Sequence, residues 1–221
     1  MDAAGERPSR PYALVGALTG LAGFAFLALF MWHSTRPTTW ERPIITTVDR
    51  IPIPFHGFWI SMFQPAPFVL MTAALTGVAA ARRRLGVAAG GLAGCAAAIL
   101  AAEFVFKPAV DRVRTHIVGF HHVIRVGSTM FPSVHVTAAA ALATFAWLVV
   151  DRSPRAAPFL VALPLVVAGA AISEQLHYPA DVIGGMLLGS ALVYCTVTGA
   201  LALVEFVNSS AAPAAPQEER A

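Results

Sequence analysis

The chain has 221 residues, 57% of them hydrophobic and 12% charged, with a formal net charge of +3. The charged share is about half that of soluble domains, and too little polar surface remains to cover the long apolar segments in water. A soluble globular enzyme is therefore excluded; the modest positive charge suits an anionic lipid surface, and no nucleic-acid partner is expected.

In chain order, residues 11–32 carry no charge. That stretch is too long for a signal-peptide core, so it is expected to remain as a helix. Residues 33–56 form a first outer loop, in which Trp40, Phe55 and several prolines mark an interfacial segment. Residues 57–81 and 85–102 are the next charge-free windows, joined by Arg82, Arg83 and Arg84. A charged segment follows to Arg125. Residues 136–150, extended back to about Met130, then 156–173 and 182–204 complete the set. A membrane span needs roughly 17–25 apolar residues. The pattern predicts an all-α polytopic membrane protein, a six-transmembrane-helix bundle forming one domain over residues 1–207. A disordered tail is expected over 208–221.

Cys95 and Cys195 fall inside predicted spans and read as small buried apolar residues. Glycines recur at spacing four, at Gly16 and Gly20, Gly90 and Gly94, and Gly185 and Gly189. Such pairs let helices approach closely. The short connections holding Arg82–Arg84 and Arg152 and Arg155 are the loops that the positive-inside rule weighs most. They are placed in the cytoplasm with both termini. The segments around Lys107, His135 and His177 then share the extracytoplasmic end of the bundle.

Three polar clusters meet at that end. In EFVFKPAVDRVRTH, Lys107, Arg112 and Arg114 lie within eight residues. Such cations bind a multiply charged anion, and they equally anchor a helix end by snorkelling. Glu103 stands four residues before Lys107, placed to pair with it. In MFPSVH, Ser133 sits near the cap of the fourth long helix. The free N–H groups there favour an anion, with His135 beside it. In HYPAD, Pro179 pre-sets a first helical turn. His177 precedes that helix and Asp181 lies in its opening turn. A carboxylate so placed fixes the imidazole tautomer and frees the other nitrogen for attack. Each cluster alone also fits an ordinary helix end. Three on one side point to one site.

This ordered set resembles the type 2 phosphatidic acid phosphatase superfamily, whose pattern is Lys-x6-Arg-Pro, then Pro-Ser-Gly-His, then Ser-Arg-x5-His-x3-Asp. Lys107 and Arg114 have the first spacing, with Thr115 in place of Pro. Pro132, Ser133 and His135 match the second, with Val134 in place of Gly. His177 and Asp181 match the third. The motifs span residues 107–185. The resemblance implies an integral membrane lipid phosphatase in the cell membrane. It would act on phosphatidic acid, phosphatidylglycerol phosphate or a polyprenyl (di)phosphate. His177 would be the nucleophile, Asp181 its orienting carboxylate and His135 the acid and base. Lys107, Arg114, Ser133, Arg112 and the backbone at Val134 would hold the phosphate, and no metal or other cofactor is expected. The third-motif Arg is replaced by Ala171 and the Ser before it by Ala170. Arg112 and Arg125 are the nearest cations to compensate, and Ala171→Arg is expected to be tolerated where the pocket has room. That departure leaves an alternative, a non-catalytic protein that binds or transports lipid phosphates. A third reading, a metal-dependent hydrolase, rests on His116, His121 and His122, whose spacing matches no strong zinc pattern.

Overall fold

The computed structural model describes residues 10–118 and 122–210, with side-chain surroundings for 14–113 and 129–210. All six charge-free windows contain a long apolar helix. These are α1 (Arg10–Phe30), α4 (Pro65–Ala81), α5 (Leu85–Leu100), α7 (Val134–Val149), α8 (Ala157–Ser173) and α9 (Pro179–Ser210). Short helices α2 (Glu41–Val48) and α3 (His56–Ser61) fill the first outer loop. A π-helical turn, Ala101–Phe106, carries α5 into the single turn α6 (Lys107–Val110). Among the described residues, two continuous helical runs, Leu85–Val110 and Pro179–Ser210, are long and apolar enough to cross a membrane by length and composition.

One element adds to the helical layout. Strands β1 (Val113–Val118) and β2 (His122–Thr129) pair antiparallel, with Val113 opposite Thr129 and Val118 opposite His122. β-Branched and polar residues alternate over 113–117 and again over 124–126, a strand pattern. The base of the hairpin is closed where the Met130 amide donates to the Arg112 carbonyl at 2.7 Å. The hairpin thereby joins the end of α6 to the start of α7 and holds Arg112 near Ser133.

The core is built around α7 and α9, with α9 packed against α1, α5 and α7. Along α7 nearly every residue from Val136 to Phe145 is buried, as expected for a helix apolar on all sides. Small residues make this possible. A Cβ on Gly185 would stand 2.7 Å from the Ser133 carbonyl oxygen, inside the closest real contact, so only glycine allows α9 this approach to the start of α7. Gly90 and Gly94 face α9 in the same way, whereas Gly16 has nothing within 4 Å. Cys95 lies buried in the apolar core and Cys195 partly so; both are free thiols.

The two ends of the bundle differ. At one, Arg82 and Arg84 donate to the Leu148 and Val149 carbonyls at 2.8–3.1 Å, and Arg84 meets Asp151 at 2.6 Å. Cations there cap the exposed carbonyls of α7 and favour its dipole. Lys107, Ser133, His135, His177 and Asp181 gather at the other. Helix α9 continues through Ser210, past the domain end expected at 207; the expected tail beyond it lies outside the described residues.

Candidate active site

Chain reversal after α8 positions His177. Gln175 adopts a left-handed conformation, φ 53°, and the amides of Leu176 and His177 both donate to the Ala171 carbonyl at 2.9 and 3.2 Å. Pro179 then opens α9 and places Asp181 in its first turn. Asp181 is fully buried. Its Oδ2 accepts the Tyr178 amide at 2.8 Å and lies 3.8 Å from His177 Nδ1. That distance is longer than a hydrogen bond. Nδ1 is buried with no hydrogen-bond partner of its own.

Ser133 caps α7 in position but not by its side chain. Its amide donates to the Asp181 backbone carbonyl at 3.0 Å, tying α7 to α9, while its buried Oγ has no partner. Val134 is the first residue of α7 and His135 the second. Their amides are among the first N–H groups of the helix, which have no intrahelical acceptor. His135 lies half-buried, its Nε2 3.3 Å from Gln64 Nε2 at the start of α4. It interacts electrostatically with both His177 and Lys107. Lys107 Nζ meets Glu103 Oε2 at 2.7 Å, the expected i to i+4 pair. The structure thus brings together His177, Asp181, Ser133, Val134, His135 and Lys107. The side chains of Arg114, Arg125, His116, His121 and His122 lie outside the described residues.

Arg112 occupies a different place from the one expected. Its place in the sequence suggests a phosphate ligand; the fold encloses it completely between two carboxylates. Its Nη1 donates to Asp181 Oδ1 at 2.7 Å and to Glu41 Oε1 at 3.1 Å, and its Nη2 donates to Glu41 Oε2 at 2.8 Å. The Tyr178 ring lies beneath the guanidinium, 4.9 Å from centroid to Cζ. Burial alone would push the Arg112 guanidinium toward its neutral form; Asp181 and Glu41 outweigh that and hold it charged, above its ordinary range.

Glu41, at the start of α2, was missed by the sequence analysis. It is fully buried and accepts four donors besides Nη1: Arg112 Nη2, the Thr38 amide at 2.7 Å, the Thr38 hydroxyl at 2.9 Å and the Ala180 amide at 3.0 Å. It therefore caps α9 from the start of α2, 139 residues away. A Thr-x-x-Glu spacing at the α2 start was the one local signal; the partners in α9 and beside α6 had none.

Ala171 leaves no vacancy for an arginine. Its side chain is enclosed in the main apolar core with Val136, Phe145 and Val182. Ala171→Arg is accordingly expected to cost folded protein, because an unpaired charge forced into a packed core costs several kcal/mol. Lower yield of monodisperse protein and a lower unfolding temperature in detergent are the measurements; an equally stable variant with raised turnover would show that the core opens to admit it.

Paired imidazoles, a buried carboxylate behind one of them and a lysine at a helix start thus gather at one end of the bundle. The sequence profile of the PAP2 superfamily matches residues 13–204, and the chain belongs to that superfamily. At that level its activity class is that of a phosphatase. Among solved structures it is similar to the transmembrane PAP2-type phosphatidylglycerolphosphate phosphatase of Bacillus subtilis, with 17% identity and a TM-score of 0.60 over 89% of this chain and 97% of that one. No curated protein matches the chain.

Proposed function

We propose that this chain is an integral membrane phosphatase. Its reaction removes phosphate from a lipid phosphomonoester or diphosphate through a phosphohistidine intermediate. The observation that carries the reading is His177, with Nδ1 facing buried Asp181 and His135 and Lys107 nearby. Asp181 favours the proton on Nδ1, which leaves Nε2 to attack phosphorus. As the P–N bond forms, the P–O bond to the lipid breaks, and His135 gives the leaving oxygen its proton. In the second step His135 takes a proton from water, whose oxygen attacks phosphorus and breaks the P–N bond. Lys107, Arg114, Ser133 and the amides at Val134 hold the phosphoryl oxygens, the charge stabilisation that divalent cations supply in other phosphoryl-transfer sites.

Large apolar side chains stand exposed around the helices, among them Phe26, Leu70, Phe104, Phe206 and Phe159, the last 78% exposed. That surface is costly in water and suited to lipid. Six membrane crossings, with the site at the extracytoplasmic end, give an amphiphilic substrate access while its tail stays in the bilayer. Phosphatidic acid, phosphatidylglycerol phosphate and polyprenyl diphosphates make the panel that tests the reading. Purified protein is expected to release inorganic phosphate from at least one of them in EDTA. Release lost on chelation and restored by Zn²⁺ would move the chemistry to a metal. Tight binding with no release from any substrate would make the chain a lipid-phosphate binder.

A further inference from the structure

The buried cluster of Glu41, Arg112 and Asp181 joins three segments distant in sequence: the start of α2, the connection from α6 to β1, and the start of α9. All three side chains are fully buried. A cluster of this kind is expensive to bury, because desolvation of each ion offsets much of the attraction. Shape alone would be served by apolar residues, so the charges call for a reason.

Charge distribution supplies one. Two carboxylates share one guanidinium, so the cluster carries a net charge of −1. Were Arg112 to face Asp181 alone, the pair would be neutral and little negative potential would reach His177. Glu41 instead takes Nη2 entirely and a share of Nη1. Asp181 gives only Oδ1 to Arg112, and the Tyr178 amide orients Oδ2 toward His177. Among the described residues, His177 meets Asp181 from the first turn of α9 and His135 from the start of α7, with Lys107 and Glu103 beyond His135. Asp181 is the carboxylate within reach of Nδ1, and what fixes its orientation and charge fixes the nucleophile.

We propose that Glu41 and Arg112 are positioning residues that act through Asp181, Arg112 by locking its Oδ1 and Glu41 by absorbing the remaining guanidinium charge. The inference rests on the phosphatase reading above. Neither residue touches the phosphoryl group.

The test is a double-mutant cycle on the full-length protein in detergent, with phosphatidic acid or whichever panel lipid the wild type turns over. Glu41→Gln keeps the size and the acceptor for Ala180. It is expected to lower kcat roughly tenfold or more while KM stays within about threefold, the pattern of an interaction used in the transition state. In the Asp181→Asn background the same change is expected to have almost no further effect, because residues acting as a unit are not additive. Arg112→Lys is the second variant should Glu41→Gln not fold. It keeps the charge but loses the fork that holds two carboxylates at once, and it is expected to behave in the same way. Wild-type kcat in either folded variant, a rise in KM at constant kcat, or an undiminished loss in the Asp181→Asn background would each overturn the inference while leaving the phosphatase reading intact. A wild type that turns over no panel lipid overturns that reading first.

Discussion

His177→Ala is expected to abolish turnover, and His135→Ala to lower it by roughly 100- to 10,000-fold, the range for a lost general acid or base. The two effects differ because the roles differ. Without His177 there is no nitrogen to carry the phosphoryl group, and no neighbour replaces it. Without His135, water can still supply and accept a proton, slowly. Quenched-flow labelling with a radioactive lipid phosphate separates the two: His177→Ala forms no phosphoenzyme, whereas His135→Ala forms it slowly and holds it longer. Near-native turnover by His177→Ala would end the phosphohistidine mechanism. Neither change is expected to unfold the protein, since both imidazoles are only partly buried.

Much of this arrangement could be read from the chain because it follows from local spacings. Four residues from His177 to Asp181, with Pro179 between, put the carboxylate in an opening helical turn behind the imidazole. The i to i+4 step from Glu103 to Lys107 placed their ion pair. Runs without charge located the six long helices, because a charge inside a span is costly whatever the fold. The same criterion misjudged some ends. Residues 57–81 carry no charge, yet α3 stops at Ser61 and α4 begins at Pro65. A break made by uncharged residues before Pro65 and Pro67 does not register in a charge count. Nor does the run from α5 to Val110, which passes Glu103 and Lys107 through a π-helical turn because the two charges pair.

The hairpin over 113–129 was missed for another reason. It sits among charges, and its period-two alternation is easily passed over in a segment read as a loop. Glu41 and the place of Arg112 lay beyond any local reading. Glu41 and Arg112 are 71 residues apart, and only the packed bundle brings them together. Proximity in sequence to Lys107 and Arg114 made Arg112 look like a third phosphate ligand; the turn of α6 and the hairpin base direct it inward instead.

Arg112→Met is expected to be the most destabilising single change at this end of the bundle. It leaves Glu41 and Asp181 buried with no cation between them, and removing one partner of a buried ionic cluster costs about 3–5 kcal/mol. That is a large fraction of a typical folding free energy of about 5–15 kcal/mol. In a chain of this size it corresponds to roughly 6–20 °C in unfolding temperature, read as the temperature at which half the detergent-solubilised protein stops eluting as a single species. The triple variant Glu41→Gln, Arg112→Met and Asp181→Asn removes every charge of the cluster. Asp181→Asn keeps an amide oxygen for the Tyr178 amide, and Glu41→Gln keeps one for the Ala180 amide while its NH2 group faces the Thr38 hydroxyl. The triple variant should recover at least half of the lost stability and none of the lost turnover, since the instability comes from unpaired charge whereas the proposed chemistry needs Asp181 ionised beside His177. A triple variant no more stable than Arg112→Met would mean that shape, not charge balance, holds this end together.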